Sequence, residues 1–343
     1  MDNLTHSLIG AALGQAGLKR KTALAMPALM IAANLPDIDV PCALYGVESL
    51  EMRRGITHGP IALLLLPQVL AGLLIAWDRW QARRGTRPEG RLAVHAGWLI
   101  ALCYLGTFTH PLFDWFNNYG IRLLEPFSHQ WFYGDMLFIV DPWIIAMLGL
   151  GLWRSLRRER VGGWKPNQPA VLALFAISAY IVLNSVISIL AVNSARLILS
   201  KSNPAILPEV IVANAKPFAF WQRDILWRTG ARYGRGDYSA FGSTAVLDQD
   251  KVFVHLPPPQ PGVVSFSEGS ARNSMVIASF NIGMSDPRIA EWSRNDRAAK
   301  AFLFWSRMPV TELHDDYIVL RDQRFMDRRM DRQFSVTLRK PKP

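Results

Sequence analysis

The sequence predicts a mainly α-helical protein: a polytopic membrane helix bundle of about six apolar segments, followed by a C-terminal α+β domain outside the membrane. Half of the 343 residues are hydrophobic and only 19% are charged. The uncharged runs are concentrated in residues 1–195, whereas residues 196–343 are polar and aromatic with few long apolar runs. Such a change in composition predicts two domains, 1–195 in the membrane and 196–343 outside it.

Two of the six apolar segments are long enough to cross a bilayer by themselves. Segments 59–77 and 169–192 contain 19 and 24 residues without a charge, and a hydrocarbon core of about 30 Å needs about 20 residues. Segments 4–17 and 22–35 are shorter and rich in small residues, which let helices approach closely in lipid. We therefore predict that these two insert by packing on the others. In chain order the segments are 4–17, 22–35, 59–77, 93–109, 138–153 and 169–192.

The loops between the paired segments are strongly basic, which predicts the orientation. Basic loops are retained in the cytoplasm, so six alternating crossings would place both termini and the C-terminal domain on the outer face. The chain is therefore predicted to cross a membrane several times. The basic loop residues are Lys19, Arg20, Lys21, Arg79, Arg83, Arg84, Arg87, Arg91, Arg154, Arg157, Arg158, Arg160 and Lys165.

Histidines and aspartates lie at the ends of the apolar segments, all on the predicted outer side. Ionisable groups at membrane depth are costly and usually functional, and imidazole with carboxylate is a ligand set for zinc or manganese. His110 and Asp114 are four residues apart, so on a helix they share one face. The predicted ligands of one or two divalent ions are His6, Asp37, Asp39, His58, His110 and Asp114.

Three of these carboxylates are also catalytic candidates, because an aspartate that does not bind the metal can act as a general base. These are Asp37, Asp39 and Asp114. Five further residues are candidates for supporting a ligand or contacting substrate: Asp2, Arg53, Arg54, Asp135 and Asp141. Simpler roles stay open for them. The two arginines could anchor to lipid head groups, and Asp141 could cap the helix that starts at Pro142.

The region after residue 195 predicts a small mixed domain. The strings KVFVHL, DYIVLR and FSVTLRK have the composition of strands, and residues 286–304 predict a helix with Asp286 as its cap. The net charge of +11 suits contact with anionic lipid. It could also suggest nucleic acid, but no zinc-finger, helix-turn-helix or RNP string is present. Membrane lipid is therefore the predicted partner, and nucleic acid is not expected.

Several strings in the first domain resemble a known family. MDNLTHSLIGAALGQAGL, NLPDID, RRGITHG and the stretch from THPLFD to FIVDPW are similar to the bacterial membrane-bound metal-dependent hydrolases, the YdjM-like inner-membrane proteins under LexA control. The resemblance covers roughly residues 1–195 and implies a hydrolase of this class that lies in the bacterial inner (cytoplasmic) membrane. It places the family's site on the same three histidines and three aspartates, with Asp135 and Asp141 as further acidic positions. Members often have Ser at the position of Gly59, and some have His at the position of Arg53.

Together these observations predict a membrane-embedded, metal-dependent hydrolase that acts at the outer membrane–water interface. A lipid or lipid-linked phosphoester is the favoured substrate, since Arg53, Arg54 and Arg122 are on the same side and arginine matches phosphate geometry. An amide or ester substrate is the nearest alternative. A different class also stays open: a non-enzymatic stress-response or structural membrane protein whose closed metal site holds helices together. A transporter is disfavoured because the polar residues gather at one end of the helices.

Overall fold

The structure is a computed structural model that describes residues 1–202, 208–229, 232–241, 265–268, 275–280, 287–326 and 334–340. The chain packs as two compact units. The first contains Met1–Val40 and Arg54–Leu183, and the second contains Pro41–Arg53 and Asn184–Pro343. The predicted domain boundary after residue 195 lies inside one long helix.

The first 202 residues are helical. The α-helices are α1 Asn3–Gln15, α2 Ala25–Ala32, α3 Ser49–Met52, α4 Pro60–Arg83, α5 Ala96–Trp115, α6 Pro142–Arg160 and α7 Gln168–Ser202. Short 3-10 stretches join them at Leu18–Arg20, Leu35–Glu48 and Ile56–His58. Proline at the first position of α4 and of α6 costs no hydrogen bond, because the first amides of a helix have no acceptor within it.

Three helices in the described residues, not six, are long and apolar enough to cross a membrane: Pro60–Arg83, Ala96–Trp115 and Gln168–Ser200. The prediction of about six spans is therefore corrected. At 1.5 Å per residue, the 13 residues of α1 and the 8 residues of α2 extend only about 20 and 12 Å. The last turns of α6 carry Arg157, Arg158 and Arg160, which keep that helix too polar.

The short helix α2 is held between α1 and α5 by two glycines. A Cβ atom on Gly10 of α1 would lie 2.6 Å from the Leu29 carbonyl oxygen of α2. A Cβ atom on Gly106 of α5 would lie 2.7 Å from the Ala32 Cβ. Small residues at both contacts let the backbones approach. The result is that α2, buried on the side formed by Ala25, Ala28, Leu29 and Ala32, carries the chain directly into the segment containing Asp37.

The end of the first unit opposite the N-terminus of α1 is polar and basic. Lys19 forms an ion pair with Glu159, which also accepts a 2.7 Å hydrogen bond from Gln15. Asp78, near the end of α4, is buried against Arg87 and Arg91. The basic segments after α1, α4 and α6 at one end, and His6, His58 and His110 at the other, give this helix bundle a polarity along its axis.

The second unit contains two antiparallel sheets. The larger has the order β1-β2-β3-β5-β4 and the smaller β6-β7-β8. The strands are β1 Val210–Ala215, β2 Gln222–Thr229, β3 Arg232–Ser239, β4 Ser265–Glu268, β5 Met275–Phe280, β6 Pro309–Leu313, β7 Tyr317–Asp322 and β8 Ser335–Arg339, and the helices are α8 Pro287–Ser293 and α9 Arg297–Trp305. Ile187, Ala191 and Ala195 of α7 pack on Ile225 and Trp227 of the larger sheet.

The prediction of an α+β domain is confirmed, with differences in detail. The strings DYIVLR and FSVTLRK correspond to β7 and β8. The predicted single helix over 286–304 is two helices, because Asp296 accepts a hydrogen bond from Ala299 N (2.8 Å) and starts α9 afresh. The string KVFVHL and the predicted cap Asp286 lie outside the described residues.

Candidate metal centre

Four buried side chains from three stretches of sequence converge at one end of the helical unit. Asp37 comes from the 3-10 stretch after α2, and His58 from the turn before α4. His110 and Asp114 lie one turn apart on α5. One ligand atom from each residue lies within 4.8 Å of all the others. This is the arrangement that a single bound cation would require.

The nitrogens and oxygens of these four side chains face one another at short range. His58 Nε2 is 3.2 Å from His110 Nε2. Asp114 Oδ2 is 3.4 Å from His110 Nε2 and 3.6 Å from His58 Nε2. Asp37 Oδ1 is 3.6 Å from His110 Nε2. Two imidazoles and two carboxylates are a donor set suited to zinc or manganese.

The other ring nitrogen of each imidazole is held by a second partner, which fixes the orientation of the ring. His110 Nδ1 lies 2.7 Å from the Ala33 carbonyl oxygen, so this nitrogen carries the ring proton and donates a hydrogen bond to that oxygen. His58 Nδ1 lies 2.9 Å from Thr57 Oγ1 and 3.7 Å from Asp39 Oδ2. The Nε2 atoms of His58 and His110 are therefore directed to the centre of the four-residue cluster. In metal sites the ring nitrogen of a histidine that does not bind the metal is commonly held by such a partner.

His6 lies against this cluster. Its ring stacks on that of His110 with 3.8 Å between centroids, and its Nε2 is 3.5 Å from Asp114 Oδ1. The amino group of Met1 also contacts Asp114. Within the described part of the chain, neither ring nitrogen of His6 nor Asp114 Oδ2 has a hydrogen-bond partner. Buried polar atoms left in this state are costly, so the residues present fit a bound metal.

Arg54 supports the cluster from the side. It is buried, its Nη2 lies 3.0 Å from Asp114 Oδ1, and its backbone N donates to Asp39 Oδ2 at 2.9 Å. Its Nη1 donates to Asn117 Oδ1 at 3.2 Å, and its guanidinium lies over the Tyr119 ring. The backbone of Arg54 has a φ of 53°, a conformation that non-glycine residues rarely adopt. Strain of this kind is concentrated at functional sites.

The loop after α5 closes over Arg54. Arg122 N donates to the Arg54 carbonyl oxygen at 3.0 Å, and Arg122 Nη1 donates to Glu125 Oε1 at 2.6 Å. A Cβ atom on Gly59 would lie 2.0 Å from the Glu125 carbonyl oxygen. The absence of a Cβ atom at Gly59 therefore permits this close approach of the loop to the start of α4.

Asp37 and His58 are in the protonation states that a metal ligand needs. Burial raises the pKa of Asp37, but its interaction with His110 and the positive charge of Arg54 outweigh burial, so the pKa lies below its usual range. Burial lowers the pKa of His58 well below its usual value. At neutral pH Asp37 is thus a carboxylate and His58 a neutral imidazole, the forms that bind divalent metals.

The remaining candidates lie in other settings. Asp2 caps α1 by accepting from Thr5 N at 3.0 Å. Asp141 caps α6 by accepting from Trp143 N at 3.0 Å, as the simpler alternative predicted. Asp135 lies before α6 with a φ of 53°, and Arg53 belongs to the second unit. Among the described residues, the ligand atoms that converge belong only to Asp37, His58, His110 and Asp114.

Two supports of the centre are not predicted from the sequence. Thr57, next to His58 in the string RRGITHG, donates to Asp39 Oδ2 at 2.9 Å. The feature of the sequence that could have indicated Thr57 is its position next to the predicted ligand His58. The carbonyl oxygen of Ala33, which orients His110, has no sequence signal, because any residue could supply it.

Apolar helices around a buried imidazole–carboxylate cluster define a class: integral membrane proteins with a candidate metal centre. The sequence model of the YdjM inner membrane protein family matches residues 1–190. The chain belongs to that family, which confirms the resemblance found in the sequence and places the protein in the inner membrane. No curated protein and no solved structure matches the chain.

Proposed function

We propose that this protein is a metal-dependent hydrolase of the inner membrane that acts on a lipid or lipid-linked phosphoester at the outer membrane–water interface. The observation that carries the proposal is the convergence of Asp37, His58, His110 and Asp114 within 4.8 Å. Because these residues come from three separate stretches, packing alone gives little reason to collect two carboxylates and two imidazoles at one buried point.

The proposed chemistry divides between the metal and the chain. A bound zinc or manganese ion would lower the pKa of a bound water towards about 7 and polarise the scissile group. His58 and His110 would bind it through Nε2, with Asp114 as the carboxylate ligand beside Arg54. Asp37 is ionised at neutral pH, so it can bind the ion or accept a proton from the attacking water. Asp39 would hold the His58 ring in position on its Nδ1 side.

A phosphoester is favoured over an amide or ester because of the adjacent guanidinium group. Arg54 Nη2 lies 3.0 Å from Asp114, inside the same cluster. Arginine binds phosphate oxygens in a planar, bidentate manner and stays charged at all relevant pH values. A phosphate held beside Asp114 would have this guanidinium next to it. The exposed apolar surface of α4, which includes Leu64 and Leu65, indicates a lipid environment beside the site and hence a lipid-anchored substrate.

The first test is the metal content of detergent-purified protein, measured by plasma mass spectrometry. We expect near-stoichiometric zinc or manganese in the wild type and its loss in the variants His110→Ala and Asp114→Ala. The matched control is His95→Ala, which removes an exposed imidazole from the N-cap of the same helix. Wild-type protein that stays free of metal after reconstitution with either ion would exclude a metal centre.

The second test separates the hydrolase from the structural alternative. Metal-loaded and chelator-treated protein in vesicles would be assayed for phosphate release from phosphatidic acid and for cleavage of phosphodiester lipids. Metal-dependent turnover that is lost in Arg54→Lys while metal content is retained supports the hydrolase. A protein whose metal raises its unfolding temperature, but which cleaves none of these lipids, instead fits a stress-response or structural protein with a closed site.

A further inference from the structure

Aromatic side chains cluster at one end of the larger sheet in the second unit. The turn between β1 and β2 carries Phe218 and Trp221, and Phe241 follows β3 at the same end, where Ala240 N donates to the Trp221 carbonyl oxygen at 2.9 Å. The rings of Trp221 and Phe241 are 6.2 Å apart. Phe218 is 72% exposed and Phe241 is 73% exposed. We call Phe218, Trp221 and Phe241 the aromatic tip.

The aromatic tip lies beside the middle of α7, not beside its end. Arg223, at the start of β2, is fully buried, and its Nη2 donates to Asn184 Oδ1 at 2.8 Å. Its Nε donates to Ser188 Oγ at 2.9 Å, and its Nη1 donates to the carbonyl oxygen of Phe220 in the turn itself at 2.7 Å. These bonds fix the turn at the level of residues 184–188 along the helix.

Residues 184–188 lie near the level at which a helix that enters the hydrocarbon core at Gln168 would leave it. The helix begins at Gln168, after a basic stretch, and about 20 residues are needed to cross a core of about 30 Å. Counting from Gln168, the crossing ends near Ile187. A buried guanidinium bound at Asn184 and Ser188 suits this boundary, where polar groups meet water and head groups. Val186 and Ile189, on the uncovered side of α7, are 47% and 59% exposed and extend the lipid-facing surface to this level.

The opposite end of the same strands is charged. Glu209, just before β1, lies 3.6 Å from Arg228 near the end of β2, and both side chains are partly exposed. The eight residues of β2 span about 25 Å at about 3.3 Å per residue. The hairpin is therefore aromatic at the level of the membrane boundary and charged well away from it. Tryptophan, the residue at position 221, is enriched at membrane interfaces, where its amphipathic ring suits the head-group layer. The wholly apolar rings of Phe218 and Phe241 gain free energy by leaving water for lipid.

We propose that the aromatic tip inserts into the head-group layer of the bilayer that α7 crosses, and so docks the C-terminal domain on the lipid surface. The occupant of the exposed aromatic surface is phospholipid. The polarity of the hairpin, the level of Arg223 along α7 and the continuous apolar face of that helix all support this assignment. Lys216, the basic residue beside the tip, is paired with Asp224 at 3.1 Å and Asp237 at 2.8 Å, which limits the charge carried into the layer.

The test places single spin labels on the full-length protein in phospholipid vesicles. Cysteine would be introduced as Phe218→Cys, Phe241→Cys or, as the control at the charged end, Glu209→Cys, in a background with Cys42→Ser and Cys103→Ala. Collisional relaxation by oxygen, which concentrates in lipid, is compared with relaxation by a water-soluble nickel chelate. We expect a higher oxygen-to-nickel accessibility ratio at 218 and 241 than at 209.

Two results would overturn the proposal. Equal, water-like ratios at all three positions would show that the aromatic tip is in solvent. Low accessibility to both reagents at 218 and 241 would show that the tip is covered by protein, as in an interface between two copies of the chain. Using two tip positions guards against one label that disturbs local folding.

Discussion

At the residue scale, the candidate metal centre depends on side chains that hold the ligands as much as on the ligands themselves. Asp39 lies behind His58, and it is fixed there by Thr57 and by the backbone of Arg54. Its position differs from that of Asp37, although the two residues are only two apart in sequence. We therefore assign Asp37 to the centre itself and Asp39 to the orientation of His58.

We predict that Asp39→Asn weakens metal binding about 10- to 100-fold without abolishing it, because loss of such a supporting partner costs about this much. His110→Ala should abolish binding. Affinity can be measured by competition with a chromogenic chelator. The control is Asp2→Asn, since asparagine caps helices as well as aspartate does and should leave the affinity unchanged. An affinity of Asp39→Asn equal to that of the wild type would contradict the assigned role.

A second buried carboxylate, in the C-terminal domain, has a purely structural setting. Asp322 accepts bonds from Ser306 Oγ at 2.6 Å and from Arg324 Nε at 2.9 Å. Burial raises the pKa of Asp322, but Arg324 and these hydrogen bonds lower it more, so the pKa lies below its usual range. Its stabilisation is therefore complete above the unfolded pKa of about 3.9 and is lost as the pH falls through the folded value.

Replacing Asp322 by asparagine leaves the buried Arg324 guanidinium without its counter-charge. We predict that Asp322→Asn lowers the free energy of unfolding by about 3–5 kcal/mol. Denaturant titration followed by tryptophan fluorescence measures this near neutral pH. Asp315→Asn, at an exposed position of the same domain, should have little effect. Comparable loss in both variants would argue against a specific role for the buried pair.

At the element scale, close backbone contacts set where the ligands lie. Helix α2 is short and buried on one side, and glycines on α1 and α5 let it approach both neighbours. Since α5 carries His110 and Asp114 while α2 leads into Asp37, the distance between α2 and α5 controls the distance between the ligands. A change in packing at Gly106, one turn from His110 on α5, should therefore reach the site.

We predict that Gly106→Ala destabilises the protein and weakens metal binding, because the added Cβ would lie 2.7 Å from the Ala32 Cβ. Forcing a methyl group into such a contact costs about 1–3 kcal/mol. Gly72→Ala on α4 is the matched control, because its Cβ would meet nothing within 4 Å. Thermal unfolding in detergent should show a lower midpoint for Gly106→Ala only. An unchanged unfolding midpoint for Gly106→Ala would mean that α2 and α5 can move apart without loss of stability.

At the scale of the whole molecule, the proposed orientation in the membrane rests on which end of the helical unit is basic. It does not require a count of membrane crossings. The candidate centre lies at one end, where α4 begins and α5 ends, and the basic segments that follow α1, α4 and α6 lie at the other. Basic ends face the cytoplasm, so the proposed orientation of the centre toward the outer face does not depend on six spans.

We predict that Gln130→Cys, in the loop near the candidate centre, reacts with a membrane-impermeant maleimide in intact spheroplasts. Thr86→Cys, in the basic loop after α4, should react only after the membrane is permeabilised. Both variants are made in the background that lacks Cys42 and Cys103. The reverse pattern would place the centre on the cytoplasmic side and would exclude hydrolysis at the outer interface.

Much of this molecule follows from its sequence alone. The length and apolarity of residues 59–77 and 169–192 predict two of the three candidate spans, because the hydrophobic effect and bilayer thickness act on local composition. The spacing of His110 and Asp114 predicts a shared helix face, because helical periodicity is also local. The distinctive strings around these residues sufficed to identify the family.

Only the tertiary structure decided which candidates meet. Asp37 and Asp39 have the same chemistry and nearly the same position in the chain, yet one faces His110 and the other supports His58. Asp141 has the composition of a ligand but caps a helix. The sequence already predicts that the first two segments depend on packing, but the residues at which α1 and α2 end are found only in the folded structure. Distances between residues far apart in sequence result from packing, and local patterns do not contain them.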